Sequence, residues 1–542
     1  MNTLQLADYL VFFLYFILVA AYGIWIYKRK TAKNETAQEF FLAEGSLTWW
    51  AIGASLIASN ISAEHFIGMS GSGFAIGLAI SSYEWMSGLV LIIVALFFIP
   101  MFLKNRIYTM PQFLATRYNE QVSSIMALFW LLVYVFVNLT SIIYLGALAI
   151  TSIANISFMT CVVSLSLFSS IVTIGGMRVI GYTDVIQVAV LILGGLVTTY
   201  LSLTLLSEEF GFGKDFMAGL SILKQEAPGH FHLILEKGHP HYDKLPGLGV
   251  IFGGMLINNL AYWGCNQSIV QRALGADLAT ARNGILFAAF LKLLVPLIVV
   301  IPGIAIFVLH ENGLFQNEMS MDGVIKPDQA YPTLMNLLPS GLKGVAFAAL
   351  TAAVVASLAG KANSISTIFS LDIYKKMINT NASEKQLVNT GRWAVVLSIT
   401  VAAFVAPALR SLDQAYQFIQ EYVGFLSPGV LAIFLLGLFW KKTTSGAALF
   451  GTILTIPLSA TLKFLPDWTG GMFPVYPFLD RMFITFWIVL FLMIIISLLT
   501  PGSVQRKEVL PFEKSMLEVK PAFIIGSILI LGILAALYTV YY

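Results

Sequence analysis

Charge is what this chain has least of. Only 11% of its 542 residues are Asp, Glu, Lys or Arg, against a hydrophobic share of 58% and a mean hydropathy of +0.84. A soluble domain carries roughly a quarter charged residues, so water is not the main solvent of this chain. Long polar linkers are missing too, although a single soluble core stops growing well before this length. A lipid bilayer resolves that conflict. The net charge of +3 builds no dense basic face, which argues against nucleic acid as a partner. Cysteine is nearly absent: Cys161 and Cys265 both lie in apolar surroundings without metal-ligand spacing, so buried inert thiols are expected rather than a disulfide frame or a zinc site. Catalytic signatures are wanting as well. The glycine-rich tract from Gly68 to Gly77 opens no phosphate loop, and no nucleophile–base set accompanies the membrane histidine, so an enzyme is not expected.

What the chain has instead is apolar length. A helix needs about 20 apolar residues to cross the hydrocarbon layer, and such stretches recur at 8–27, 47–71, 80–103, 123–148, 157–176, 184–207, 247–267, 283–309, 342–370, 392–410, 414–440, 446–463, 480–500 and 521–541. The first run ends at Lys28-Arg29-Lys30 without a small-residue cleavage site and is read as a retained span. Basic residues then gather in alternate short loops: Lys104 and Arg106; Arg178; Arg272 and Arg282; Lys375 and Lys376; Lys441 and Lys442; Arg506 and Lys507. By the positive-inside rule that side is cytoplasmic, and an even number of crossings leaves both termini outside a plasma (bacterial inner) membrane. Two long exterior loops follow, 208–246 and 310–341. The first holds His230, His232, His239 and His241, for which a solvated loop is the expected reading and a metal site the lesser one.

Two spans carry residues that compete with a continuous helix. Ala58-Ser59-Asn60-Ile61-Ser62-Ala63-Glu64-His65 is one; Asn258-Asn259-Leu260-Ala261-Tyr262-Trp263-Gly264 is the other. Irregular backbone at membrane depth is tolerated where protein or a wet cavity satisfies it, and paired interruptions in the two halves of a chain point to a transporter's substrate site. Their starts are five spans apart, the interval of two five-helix repeats of opposite topology.

Ionisable groups inside the spans sharpen that expectation. Lys292 lies ten residues after Arg282, about 15 Å along a helix and so near the middle of a layer about 30 Å thick. A cation there costs at least about 2.5–3.5 kcal/mol on insertion scales, which calls for a partner, a substrate or water. Glu84 and Ser87 are three residues apart and share a helix face. With Asn60, His65, Asn259 and Gln420 they supply the carboxylate, amide, imidazole and hydroxyl groups that a sugar's hydroxyls need. The rings of Tyr83, Tyr262, Trp263 and Tyr416 are candidates to stack on or close over a pyranose, with belt or core packing the plainer role for each.

Three ordered segments then become recognisable: Ser59-Asn60-Ile61-Ser62-Ala63-Glu64-His65-Phe66-Ile67-Gly68, Ala261-Tyr262-Trp263-Gly264-Cys265-Asn266-Gln267, and Phe434-Leu435-Leu436-Gly437-Leu438-Phe439-Trp440-Lys441-Lys442. They resemble the solute:sodium symporter family, and within it the sodium/galactose and sodium/glucose cotransporter branch. The resemblance implies an all-α integral membrane protein of LeuT-like fold, with about fourteen transmembrane helices. Two inverted five-helix repeats with broken first and sixth core helices would fill 47–440, with an extra helix at 8–27 and three peripheral helices in 446–541. It further implies a sugar site of His65, Glu84, Ser87, Asn259, Lys292 and Gln420, with Tyr262 as inner gate and Met69, Tyr83 and Tyr416 closing the cavity. At His65 the bacterial galactose carriers of this branch have glutamine and the animal glucose carriers histidine. Sodium, the co-transported ion, would take the backbone carbonyls of Ala58, Ile61 and Ala353 and the hydroxyl of Ser357; Ala356 stands where a second hydroxyl is usual. Asp184 matches an acid on the sodium exit route. Ala359 and Gly360 replace the hydroxyls of a second sodium site, so one Na+ per sugar is expected. The implied partners are a neutral hexose, sodium and lipid. Other solutes (a polyol, a sugar acid, an amino acid) and a non-transporting sugar sensor are the competing readings, the latter disfavoured by the lack of a soluble signalling domain.

Overall fold

Inside lipid, a segment must pair its own backbone N–H and C=O groups, and the helix does so within one segment. The computed structural model describes residues 4–29, 40–41, 47–154, 156–321, 323–411, 415–501 and 513–542. Its regular structure is helical except for one short antiparallel hairpin, Ser320–Met321 against Val324–Ile325. The helices that build the architecture are α1 (Leu6–Arg29), α2 (Trp49–Asn60), α3 (Ser70–Ile76), α4 (Leu78–Lys104), α5 (Glu120–Ala154), α6 (Phe158–Thr173), α7 (Gly176–Glu209), α8 (Gly254–Cys265), α9 (Gln267–Leu274), α10 (Leu278–Glu311), α11 (Leu342–Ile378), α12 (Glu384–Val405), α13 (Ala415–Val423), α14 (Ser427–Phe439), α15 (Ser445–Trp468), α16 (Phe478–Leu499) and α17 (Pro521–Val540). Among the described residues, twelve helices are long and apolar enough to cross a membrane. The remaining two expected crossings are the interrupted pair α2–α3, joined by a wide turn at Glu64–Met69, and the 16-residue α6.

The packing has the exchange expected of two interlocked repeats. Helices α2 and α3, which open the first half, lie on α10 of the second; α8, which opens the second half, lies on α4 of the first. Within each half the last member returns to the first, α7 on α2 and α14 on α8. Helix α11 is central, with 89% of its apolar window buried against 17% for α1 and 22% for α17, which places those two at the lipid-facing rim. Gly303 permits the close seat of α3 on α10, since a Cβ there would stand 2.1 Å from the Ser70 carbonyl oxygen. Gly77 turns the chain from α3 into α4 at φ +88°, a conformation that glycine adopts at low cost.

Some expectations about the loops change. Loop 208–246 contains the helix Phe216–Glu226, and His230 packs inward: its Nε2 meets the Phe74 carbonyl oxygen at 3.0 Å and its ring stacks on Phe307 at 3.9 Å. Among the described residues no group of three or more His, Cys, Asp or Glu is placed to hold a metal. Both cysteines are free and buried. Arg272 and Arg282, counted with the loop charges, are buried; Arg282 donates to the carbonyl oxygens of Ala95, Met516 and Glu518. Lys30, Arg506 and Lys507 lie outside the described residues, as do the side chains of Lys28, Arg29 and Arg178.

Candidate functional site

Helix α2 stops at Asn60 because Ile61 leaves the helical region (φ −73°, ψ 120°). Two N–H groups that would have continued the ladder then turn elsewhere. Ser62 N donates to His65 Nδ1 at 3.3 Å instead of to Ala58, and His65 N donates to the Ser62 carbonyl at 3.0 Å instead of to Ile61. The oxygens so released meet one hydroxyl: Ser357 Oγ, on α11, is 3.2 Å from Ala58 O, 3.5 Å from Ser59 O and 2.9 Å from Ile61 O. A hydroxyl has one proton and cannot satisfy three carbonyls together. Such converging oxygens are what a hard cation requires, so the donor set fits sodium. Ala353 and Ala356 are buried on the same helix, and Ala356 adds no hydroxyl. One turn before Ala58, Ser55 Oγ donates to Asp184 at 2.5 Å and accepts from Arg272 Nε at 2.8 Å, while an Arg272 terminal nitrogen lies 3.9 Å from the same carboxylate.

Beside this break is a cavity of about 70 Å³, walled largely by polar side chains. Of the expected substrate residues, Asn60, His65, Glu84, Ser87, Asn259 and Gln420 line it, together with Tyr83, Tyr262 and Trp263. Glu84 is its electrostatic centre. One carboxylate oxygen is 3.3 Å from His65 Nε2 and the other accepts from Lys292 Nζ, which also donates to Asn60 Oδ1. Because His65 Nδ1 accepts from Ser62 N, its Nε2 carries the proton and donates to Glu84. Ser87 Oγ donates to Asn259 Oδ1 at 2.7 Å. Lys292 is wholly buried behind Glu84, 5.2 Å from the Trp263 ring centroid, and does not line the cavity. Met69 is buried and is not in the lining either. The side chain of Tyr416 lies outside the described residues.

The second interruption is displaced from its expected place. Residues 258–264 are helical, and the chain breaks at Asn266 (φ −91°, ψ 124°) between α8 and α9. The asparagines do not break the helix because their amides are satisfied: Ser427 Oγ donates to Asn258 Oδ1 at 3.0 Å, and Asn259 Nδ2 donates to Met255 O. Asn266 instead caps α9, its Oδ1 accepting from Ser268 N, Ser268 Oγ and Tyr134 Oη at 3.0, 2.8 and 2.6 Å. A second cavity, of about 40 Å³, opens beside this break and includes Tyr134, Ala261, Asn266 and Val430 in its wall. The two cavities share Asn138, Tyr262 and Val423, so Tyr262 stands between them. Its hydroxyl accepts from Asn60 Nδ2 at 3.1 Å.

Two ionisable residues that line the larger cavity, Glu64 and Lys361, are not among those the sequence singles out. Their signal is the one that exposes Lys292: Lys361 sits near the midpoint of the Leu342–Ile378 span, far from either interface.

Residues 40–455 match the sodium:solute symporter family. The chain belongs to that family. The symporter's relatives include a sodium/glucose cotransporter of Vibrio parahaemolyticus, 44% identical over 99% of both chains, and sodium/myo-inositol cotransporter 2 of Bos taurus, 33% identical over 84% of this chain and 70% of that one. A solved, substrate-bound, outward-open Na+-coupled sialic acid symporter shares the fold, with a TM-score of 0.77 and 21% identity over 92% of this chain and 98% of that one. The architecture is therefore the LeuT-like one, and the symporter is a transport protein whose Na+ is cargo rather than a resident cofactor.

Proposed function

We propose that this symporter couples inward sodium movement to uptake of a neutral hexose, galactose or glucose, by alternating access, with one Na+ per sugar. The observation that carries the reading is the pairing of Lys292 with Glu84. An uncompensated cation would favour a sugar acid; here Lys292 is neutralised by Glu84, the cavity's other cation, Lys361, shares the wall with the carboxylate of Glu64, and the remaining polar groups that face the cavity exchange hydrogen bonds with hydroxyls. Glu84 retains acceptor capacity beyond its bonds to Lys292 and His65, and Gln420 adds amide donors and an acceptor from α13. Relatives named for glucose and myo-inositol, both neutral and polyhydroxylated, support the same class.

In this scheme His65, Glu84, Ser87, Asn259, Gln420 and Asn60 hold the sugar, with Lys292 setting Glu84 and Asn60 in place. Sodium, bound by Ala58, Ile61, Ala353 and Ser357, draws α2 against α11 and stabilises the outward-open form, and sugar binding then favours the jointly occupied state with reciprocal effects on affinity. Tyr262 is the inner gate, flanked by Tyr83, Trp263, Met69 and Tyr416, and Asp184 lies on the sodium exit route. The basic loops are cytoplasmic, both termini are outside an inner membrane, and 47–440 forms the moving core between peripheral helices at 8–27 and in 446–541.

Uptake of radiolabelled galactose, glucose, myo-inositol and a sugar acid into proteoliposomes tests this, with and without an inward sodium gradient. Sodium-driven accumulation of a neutral hexose, lost in Glu84→Ala, is expected. Accumulation of the sugar acid alone, or sugar binding without transport by folded protein, would overturn it.

A further inference from the structure

Lys361 is a buried cation to which the transport scheme gives no task. It is 4% exposed, and a charge at that depth persists where surrounding groups make it useful. It follows Ser357 by four residues and so shares its face of α11. Its ammonium donates to Ser268 Oγ at 3.1 Å and approaches the Tyr262 hydroxyl at 3.4 Å, with the rings of Tyr262 and Tyr134 at 5.0 and 5.6 Å. The Ser268 hydroxyl in turn donates a hydrogen bond to Asn266 Oδ1, the cap of the second interruption, which also accepts from Tyr134. One side chain from the helix that carries Ser357 thus reaches both the tyrosine between the two cavities and the residues that pin the break beneath it. Glu64 lines the larger cavity with Lys361 and accepts from Ser141 Oγ at 2.5 Å, so a carboxylate is at hand for the ammonium when Tyr262 moves.

We propose that Lys361 is the latch of the inner gate, a positioning residue that keeps Tyr262 closed and the second interruption pinned until movement of α11 withdraws it. The proposal rests on the reading of Tyr262 as the gate of a sodium-driven symporter. It explains how a change at the oxygens around Ser357 reaches a gate on another helix: Ser357 and Lys361 are carried by one rigid segment, one turn apart.

The test is a thiol placed behind the gate. In the full chain with Cys161→Ser and Cys265→Ser, Val430→Cys puts a single cysteine in the smaller cavity. Maleimide labelling, which needs no substrate, reads how often that cavity opens. Lys361→Met is expected to label about tenfold faster, as loss of a charge-assisted hydrogen bond implies, and Lys361→Arg to return to within about threefold of the unaltered rate. Where Lys361→Met does not fold, Ser268→Ala, which removes one latch partner, is expected to label faster as well. Unchanged labelling in folded Lys361→Met, or in Ser268→Ala where it replaces it, overturns the latch. Absence of hexose uptake by the unaltered protein would sink the transport reading, while the labelling rates would still decide whether Lys361 holds the gate.

Discussion

The two helix interruptions occupy equivalent places in the two halves and are satisfied by different means. At Ile61 the released carbonyl oxygens of Ala58, Ser59 and Ile61 converge on one serine hydroxyl, which cannot serve them all. At Asn266 the Ser268 N–H at the start of the next helix is met by the Asn266 side chain, whose Oδ1 also accepts from Tyr134 Oη and from Ser268 Oγ, the latter bonded in turn to Lys361. The first break leaves oxygen capacity for a cation; the second is closed by internal bonds that must be undone for it to move. In the scheme proposed above, equivalent geometry serves binding in one half and gating in the other.

The largest effect is expected on the side of the first break. Glu84→Ala leaves the Lys292 ammonium buried without its counter-charge, which destabilises by about 3–5 kcal/mol; melting in detergent should show it, and Glu84→Ala combined with Lys292→Met should recover stability without recovering uptake. Next comes Ser357→Ala, which removes the one hydroxyl among the converging carbonyls. The sodium concentration for half-maximal uptake is expected to rise about tenfold, a loss of about 1.4 kcal/mol. Asn266→Ala removes a cap and an acceptor for Tyr134, costing about 1–2 kcal/mol of stability, and because sodium reaches this break only through Lys361, sodium activation should shift by less than about threefold. A strong shift in sodium activation there would erase the distinction between the breaks.

The smallest effect belongs to an ordinary helix start. Asp277 caps α10, accepting from Ala279 N and Thr280 N at 2.9 and 3.1 Å. The Thr280 hydroxyl and N–H hold its carboxyl below the usual carboxylate range. A lowered value means that this cap stabilises fully above the ordinary carboxylate pKa and loses its effect as pH falls through the depressed one. Asp277→Ala should therefore cost about 1 kcal/mol near neutrality and less in acid, as melting curves across pH would show.

Much of this is legible in the chain. The run from Ser59 to His65 announces the first break because serine and asparagine offer the backbone other partners, and Lys292 announces itself through depth alone. The second break lies beyond the residues whose polarity suggests it: Asn258 and Asn259 bond sideways to Ser427 and Ser87, across helices that no local pattern reveals. Asn266 carries a local sign, a capping residue two before Ser268, but it sits inside an apolar stretch that reads as one span. The pairing of Lys292 with Glu84 joins residues 208 apart, and only the fold could show that two opposite signals about substrate charge cancel.

The measurement closest to the central claim is sodium activation of galactose uptake in proteoliposomes for the unaltered symporter, Ser357→Ala and Asn266→Ala side by side. A rise of about tenfold in the sodium requirement for Ser357→Ala, with Asn266→Ala within about threefold of the unaltered protein, is the predicted result. Equal sodium requirements in all three folded proteins would contradict the assignment of sodium to the first interruption.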